Sequence, residues 1–144
     1  MKIYSSAFEH GQPIPSKYAC EGENVSPPLA FEDVPGETKS LALVVDDPDA
    51  PVGVFDHWIA WNLNPDTREL PEDARVETQG KNHYGELQYR GPCPPPGSHH
   101  RYFFKAYALD TLLDLPQGSS KGQLEEAMEG HILAKGELVG TYKR

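Results

Sequence analysis

Fourteen prolines run from Pro13 to Pro116, and none falls in residues 117–144. An interior proline removes a helical hydrogen bond and costs a helix about 3 kcal/mol. Long helices are therefore nearly excluded from most of the chain, and 13 glycines break it further. Short strands joined by elaborate loops are what remains. At 144 residues, with no internal repeat and no linker-like stretch, the chain reads as a single domain spanning residues 1–144.

Periodicity places the strands. Lys2-Ile3-Tyr4 opens a short one, and residues 10–30 read as loop, punctuated by Pro13, Pro15, Gly22, Asn24, Pro27 and Pro28. Leu41-Ala42-Leu43-Val44-Val45 is a continuous apolar run of strand length, the pattern of a buried strand. Alternation over Phe55–Leu63 puts Phe55, His57, Ile59, Trp61 and Leu63 on one face. Residues 64–100 are mostly loop, Arg101–Leu109 forms a third long strand, and Glu137–Tyr142 closes the chain. One helix is well signalled over residues 121–129: Ser120 and Gln123 fit a capping box, Leu124, Ala127 and Met128 recur at helical spacing, and Gly130 ends it. The expected fold is mainly β, with one or two short peripheral helices.

Charge narrows the partners. Thirteen basic against 22 acidic side chains leave a net charge of −9, which disfavours nucleic acid and anionic membrane surfaces, because the basic residues do not cluster. No apolar run approaches the ~18–20 residues of a membrane span. The start, MKIYSSAFEHGQPIP, lacks the apolar region of a secretory signal. A cytoplasmic protein without membrane insertion is the expectation. Cys20 and Cys93 make no disulfide framework and show no zinc spacing; they read as two free thiols, although both sit in Pro/Gly-rich loops that leave a contact open.

Polar groups concentrate in three places. Asp46-Asp47-Pro48-Asp49-Ala50-Pro51 ends the buried strand; it is either a solvated turn or a proline-braced one that aims carboxylates inward. His57 shares a strand with large apolar residues, so it is either a satisfied core imidazole or a ligand contact. Gly91-Pro92-Cys93-Pro94-Pro95-Pro96-Gly97-Ser98-His99-His100-Arg101-Tyr102 is a stiff loop running into two histidines. Its donor N–H groups return only at Gly97, Ser98 and His99, an arrangement that can form an anion-binding concavity. His99 and His100 point to opposite faces of a strand and do not easily share a metal. There is no HExxH, GxSxG, GxGxxG or P-loop. A metal site or hydrolase built on Asp47, Asp49, His57 and His100 is the weaker alternative.

With Asp47-Pro48-Asp49-Ala50-Pro51, His57-Trp58 and Gly91-Pro92…His100-Arg101-Tyr102 in view, the chain resembles the phosphatidylethanolamine-binding protein family, which includes the Raf kinase inhibitor protein. Gly22-Glu23-Asn24-Val25-Ser26-Pro27-Pro28-Leu29, Gly91-Pro92-Cys93-Pro94-Pro95 and His131-Ile132-Leu133-Ala134…Gly140-Thr141-Tyr142 resemble its bacterial and archaeal branch. The resemblance covers nearly the whole chain. It implies antiparallel sheets packed as a sandwich around a small pocket for phosphate-like head groups, lined here by Asp47, Asp49, Pro51, His57, Gly91, Pro92, His100 and Tyr102. The candidate site holds acids and bases but neither a nucleophile motif nor a metal motif, so a binding protein rather than an enzyme, with no cofactor, is the expectation. Some members inhibit a kinase or protease, and some prokaryotic members form homodimers. Eukaryotic members carry a C-terminal helix beside the pocket mouth. This sequence stops at Arg144, so that gate is expected to be missing and a kinase-regulatory role is in question. His100 is assigned to the pocket because it directly precedes Arg101-Tyr102, and His99 is expected to face away. Asp47 or Asp49 is expected to accept from one nitrogen of His57 or His100 and so orient the other toward the ligand.

Overall fold

The computed structural model describes residues 1–144. Two antiparallel sheets face each other. The smaller has the order β1-β2-β5, from Lys2–Tyr4, Leu29–Glu32 and Glu69–Leu70. The larger has the order β4-β3-β6-β7, from Phe55–Leu63, Ser40–Asp47, His99–Leu109 and Ile132–Lys143. A single α-helix, α1, spans Lys121–Met128, and a 3-10 turn covers Ser16–Tyr18. The mainly β expectation is met.

The core lies between the sheets. Ile3, Leu29 and Phe31 of the small sheet meet Leu43, Val45, Trp58 and Phe104 of the large one. A second apolar cluster lies on the other face of the large sheet, where Ala42, Val44, Ile59 and Trp61 pack under Leu124 and Met128 of α1. β3 is thus covered on both sides, which explains its unbroken apolar run: neither face meets water. The predicted capping box is present at α1, where the Ser120 hydroxyl accepts from the Gln123 N–H and the Gln123 side chain accepts from the Ser120 N–H. The helix ends at Met128, one residue before the predicted end.

β4 departs from strict alternation. Val45 pairs with Trp58 and Asp46 with Asp56, so His57 is an extra residue opposite a single step of β3. Such a β-bulge turns the following residues over by one position. Ile59 and Trp61 consequently face α1, whereas Trp58, Ala60 and Leu63 join the inter-sheet core. The single face predicted for Phe55, His57, Ile59, Trp61 and Leu63 is therefore corrected. A second shift near Asn62, whose φ is 56°, returns Leu63 to the inner side. No helix is long and apolar enough to cross a membrane.

Candidate ligand site

Three strands deliver their polar residues to one end of the large sheet. Asp47 is the last residue of β3, His57 occupies the bulge of β4, and His100 and Tyr102, two apart, share a face of β6. They converge on a recess of about 250 Å³. Its walls are apolar: Pro51 and Val52 from the turn after β3, Phe55, Tyr84, and Pro94 and Pro95 from the loop before β6. The recess is smaller than the ~300–1,000 Å³ of drug-sized sites, which suits a small ligand or a small group on a larger one.

The histidines are oriented by different acceptors. His100 Nδ1 lies 2.7 Å from Asp47 Oδ2, with both groups buried. His57 Nδ1 lies 2.7 Å from the carbonyl oxygen of Arg90. A carbonyl only accepts, so the His57 proton sits on Nδ1. The expected carboxylate partner is found for His100; for His57 it is a backbone carbonyl instead. Nε2 of each ring has no partner within the protein and is left unsealed at the recess. His57 is 3% exposed, and burial pulls its pKa below the usual imidazole value, favouring the neutral ring. Burial, reinforced by the Asp47 carboxylate, pushes the Tyr102 hydroxyl far up, so it stays protonated. His57 also meets Tyr102 edge-on, with ring centroids 5.3 Å apart.

The remaining predicted residues hold the walls. Asp49 turns away from the recess onto Arg101, accepting from its backbone N–H, Nε and Nη2 at 2.8–2.9 Å. That guanidinium holds the Asp49 carboxyl down at about 2. Asp47 Oδ1 accepts from the Asp49 N–H at 2.7 Å, so the two aspartates brace one turn. Gly91 donates its N–H to Asn24 Oδ1, and a Cβ there would sit 1.8 Å from the Tyr18 carbonyl oxygen. Pro92 accepts from the Cys20 N–H at 3.0 Å. Asp49, Gly91 and Pro92 thus stand behind the recess rather than lining it, while Asp47, Pro51, His57, His100 and Tyr102 line it. His99 is exposed, on the opposite side of β6 from His100.

The cysteines require a correction. Cys20 and Cys93 are joined in a disulfide, with their Cα atoms 5.4 Å apart. Nothing in their spacing signals this. The close approach of residues 91–92 to residues 18–24, which only a glycine at 91 allows, brings them together.

Tyr84 and Phe55 were absent from the predicted site. Tyr84 comes from the loop after residue 80, held by the Asn82 side chain, whose Oδ1 accepts from the N–H groups of Tyr84 and Glu86. Its ring stands edge-on to Phe55, centroids 5.0 Å apart, and carries the Arg90 guanidinium 5.3 Å from its centre. No local pattern marks a loop tyrosine as part of a site whose other residues come from distant parts of the chain.

Fold and site together define a two-sheet β protein with a small polar-floored, apolar-walled recess at one end of the larger sheet. The family model for phosphatidylethanolamine-binding protein matches residues 4–143, and the chain belongs to that family. A phosphatidylethanolamine-binding protein homolog from Chlamydia trachomatis superposes with a TM-score of 0.96 at 50% identity, covering 99% of this chain and 97% of that one. E. coli YbcL, described as a new member of the mammalian PEBP family, superposes with a TM-score of 0.92 at 31% identity, covering 99% and 98%. A UPF0098 protein of Methanothermobacter thermautotrophicus is 52% identical over 151 residues, covering 100% of this chain and 99% of that one.

Proposed function

We propose that this protein binds a small oxyanion, a phosphate or a phosphate-bearing group, in the recess floored by Asp47, His57, His100 and Tyr102. The observation that carries the reading is the convergence of those four side chains, from three strands, on one hollow of about 250 Å³. Membership of a family named for a phosphate-bearing ligand supports the phosphate chemistry, whichever ester form carries it. A proton on His100 Nε2 makes an imidazolium paired with Asp47, a cation already compensated from behind and able to donate forward. The Tyr102 hydroxyl supplies a second donor.

Binding rather than catalysis suits the groups present. The Cys93 sulfur is bonded to Cys20, and both tyrosines of the recess are held protonated, their pKa values raised mainly by burial. No Ser or Thr lines the recess. The test is calorimetric titration with inorganic phosphate at about pH 6. The wild-type protein binds, and His100→Ala weakens binding at least tenfold, about 1.4 kcal/mol. Absence of phosphate binding by the wild type, or equal binding by the variant, overturns the proposal.

A further inference from the structure

The hydrogen-bond directions around the two imidazoles restrict which oxyanions fit. Both rings spend Nδ1 on an acceptor, the Arg90 carbonyl for His57 and the Asp47 carboxylate for His100. Both neutral rings therefore turn bare Nε2 lone pairs toward the recess. An ordinary oxyanion, itself only an acceptor, meets two acceptors there. No Lys or Arg lines the recess to offset this, and Asp47 adds a negative charge.

One ring can change role at low cost. A proton on His100 Nε2 is held opposite Asp47, whereas one on His57 Nε2 would create a buried cation whose own Nδ1 partner is a neutral carbonyl. The depressed pKa of His57 agrees with this difference. The charged groups around the pair do not reverse it. Asp46 and Asp56 face the opposite side of the sheet, where Lys121 binds both and Lys105 and His83 add further contacts. Asp49 is spent on Arg101, and the Arg90 guanidinium lies over Tyr84. The floor can then offer one donor, His100 Nε2–H in its Asp47-paired form, and one neutral acceptor, His57 Nε2.

We infer that the recess selects an oxyanion that still carries a proton, typified by a phosphate monoester in its monoanionic form, over oxyanions of equal charge that carry none. This rests on the binding function proposed above and narrows its ligand class. In the complex the ligand P–OH donates to His57 Nε2, and a P–O⁻ accepts from His100 Nε2–H. A phosphodiester, the linkage of a phospholipid head group, is also a monoanion but has no proton to give. A sulfate monoester has the same shape and charge as the monoester monoanion, and it too lacks the proton.

The experiment compares methyl phosphate, dimethyl phosphate and methyl sulfate by calorimetry at about pH 5.5. Methyl phosphate represents a soluble monoester and dimethyl phosphate the diester of a lipid head group. The expected result is at least tenfold tighter binding of methyl phosphate than of either of the others. Its affinity then falls by up to tenfold per pH unit above its second ionisation, near pH 6, a steeper fall than that of methyl sulfate, which has no second ionisation. His57→Asn keeps a donor for the Arg90 carbonyl but removes the imidazole lone pair, and its melting temperature reports whether it folds. In the folded variant, methyl phosphate loses its advantage over methyl sulfate. Equal wild-type binding of all three probes overturns this inference and leaves the binding function standing. Absence of binding by all three overturns both.

Discussion

At residue 57 the chain holds an imidazole where its strand otherwise carries core side chains. Its burial stabilises the neutral ring, so its pKa in the folded protein lies below the 6.5 of a free histidine. The unfolded chain then binds the proton more readily, and stability falls as pH drops below about 6.5 toward the folded value, being fully present above that window. Thermal melts from about pH 7 to pH 5 are expected to show this loss, and His57→Gln should flatten the slope over the same range. An unchanged slope in the variant would assign the acid sensitivity elsewhere. Asp49 acts much further down the scale. Its carboxyl, held near 2 by Arg101, supports the fold at neutral pH and loses that support progressively as pH falls from about 3.8 to about 2. The two groups therefore separate in a pH series. The sequence makes both residues conspicuous, but it does not show which of them faces the recess. That depends on Arg101 capturing Asp49 across 52 positions, a contact no local pattern encodes.

At the scale of elements, the bulge in β4 decides the site. Regular alternation would send His57 to the side of Ile59 and Trp61, under the helix. The extra residue instead sends it toward Asp47 and Tyr102. The apolar run of β3, the length of β4 and the capping box of α1 are legible because each depends on neighbours in sequence. The bulge is not, since it is defined by pairing with another strand. The same register places Asp46 opposite Asp56 on the outer face, two buried carboxylates side by side. Lys121, the first residue of α1, lies 2.7 Å from Asp56 and 3.2 Å from Asp46, and Lys105 reaches Asp46 at 3.0 Å. Burial opposes the charge on Lys121, but the two carboxylates outweigh it and raise its pKa. α1 is thus tied to the sheet by charge at its start and by Leu124 and Met128 further along. Lys121→Met leaves Asp56 Oδ1 without its only close partner, and the expected cost is about 3–5 kcal/mol. Urea unfolding of Lys121→Met beside Ser120→Ala, a lost cap worth about 1 kcal/mol, separates the ion cluster from helix capping. Similar costs for the two variants would remove the cluster from the account.

Across the whole molecule, the two long loops that the proline pattern predicts are not slack connectors. Residues 18–24 and 91–93 are locked together by the Gly91–Asn24 and Cys20–Pro92 hydrogen bonds and by the Cys20–Cys93 bond. Cys93, Pro94 and Pro95 then continue as one wall of the recess, so the stiffness of that wall comes from the far end of the chain. The cross-link spans a sequence separation of 73, and chain entropy assigns a closed loop of that size about 4 kcal/mol through restriction of the unfolded state. Both cysteines are half-buried rather than sealed, which leaves the bond open to a small thiol or phosphine reductant. Reduction should therefore lower the melting temperature by roughly 10 °C. The hydrogen bonds between the loops do not depend on the sulfurs, so the reduced protein should still show the far-ultraviolet circular dichroism of the oxidised form at 25 °C. Melts with and without reductant measure the shift, and Cys20→Ser/Cys93→Ser should melt with the reduced protein whether or not reductant is added. A double variant as stable as the oxidised wild type would show that the hydrogen bonds and the Gly91 contact hold the loops without the covalent link.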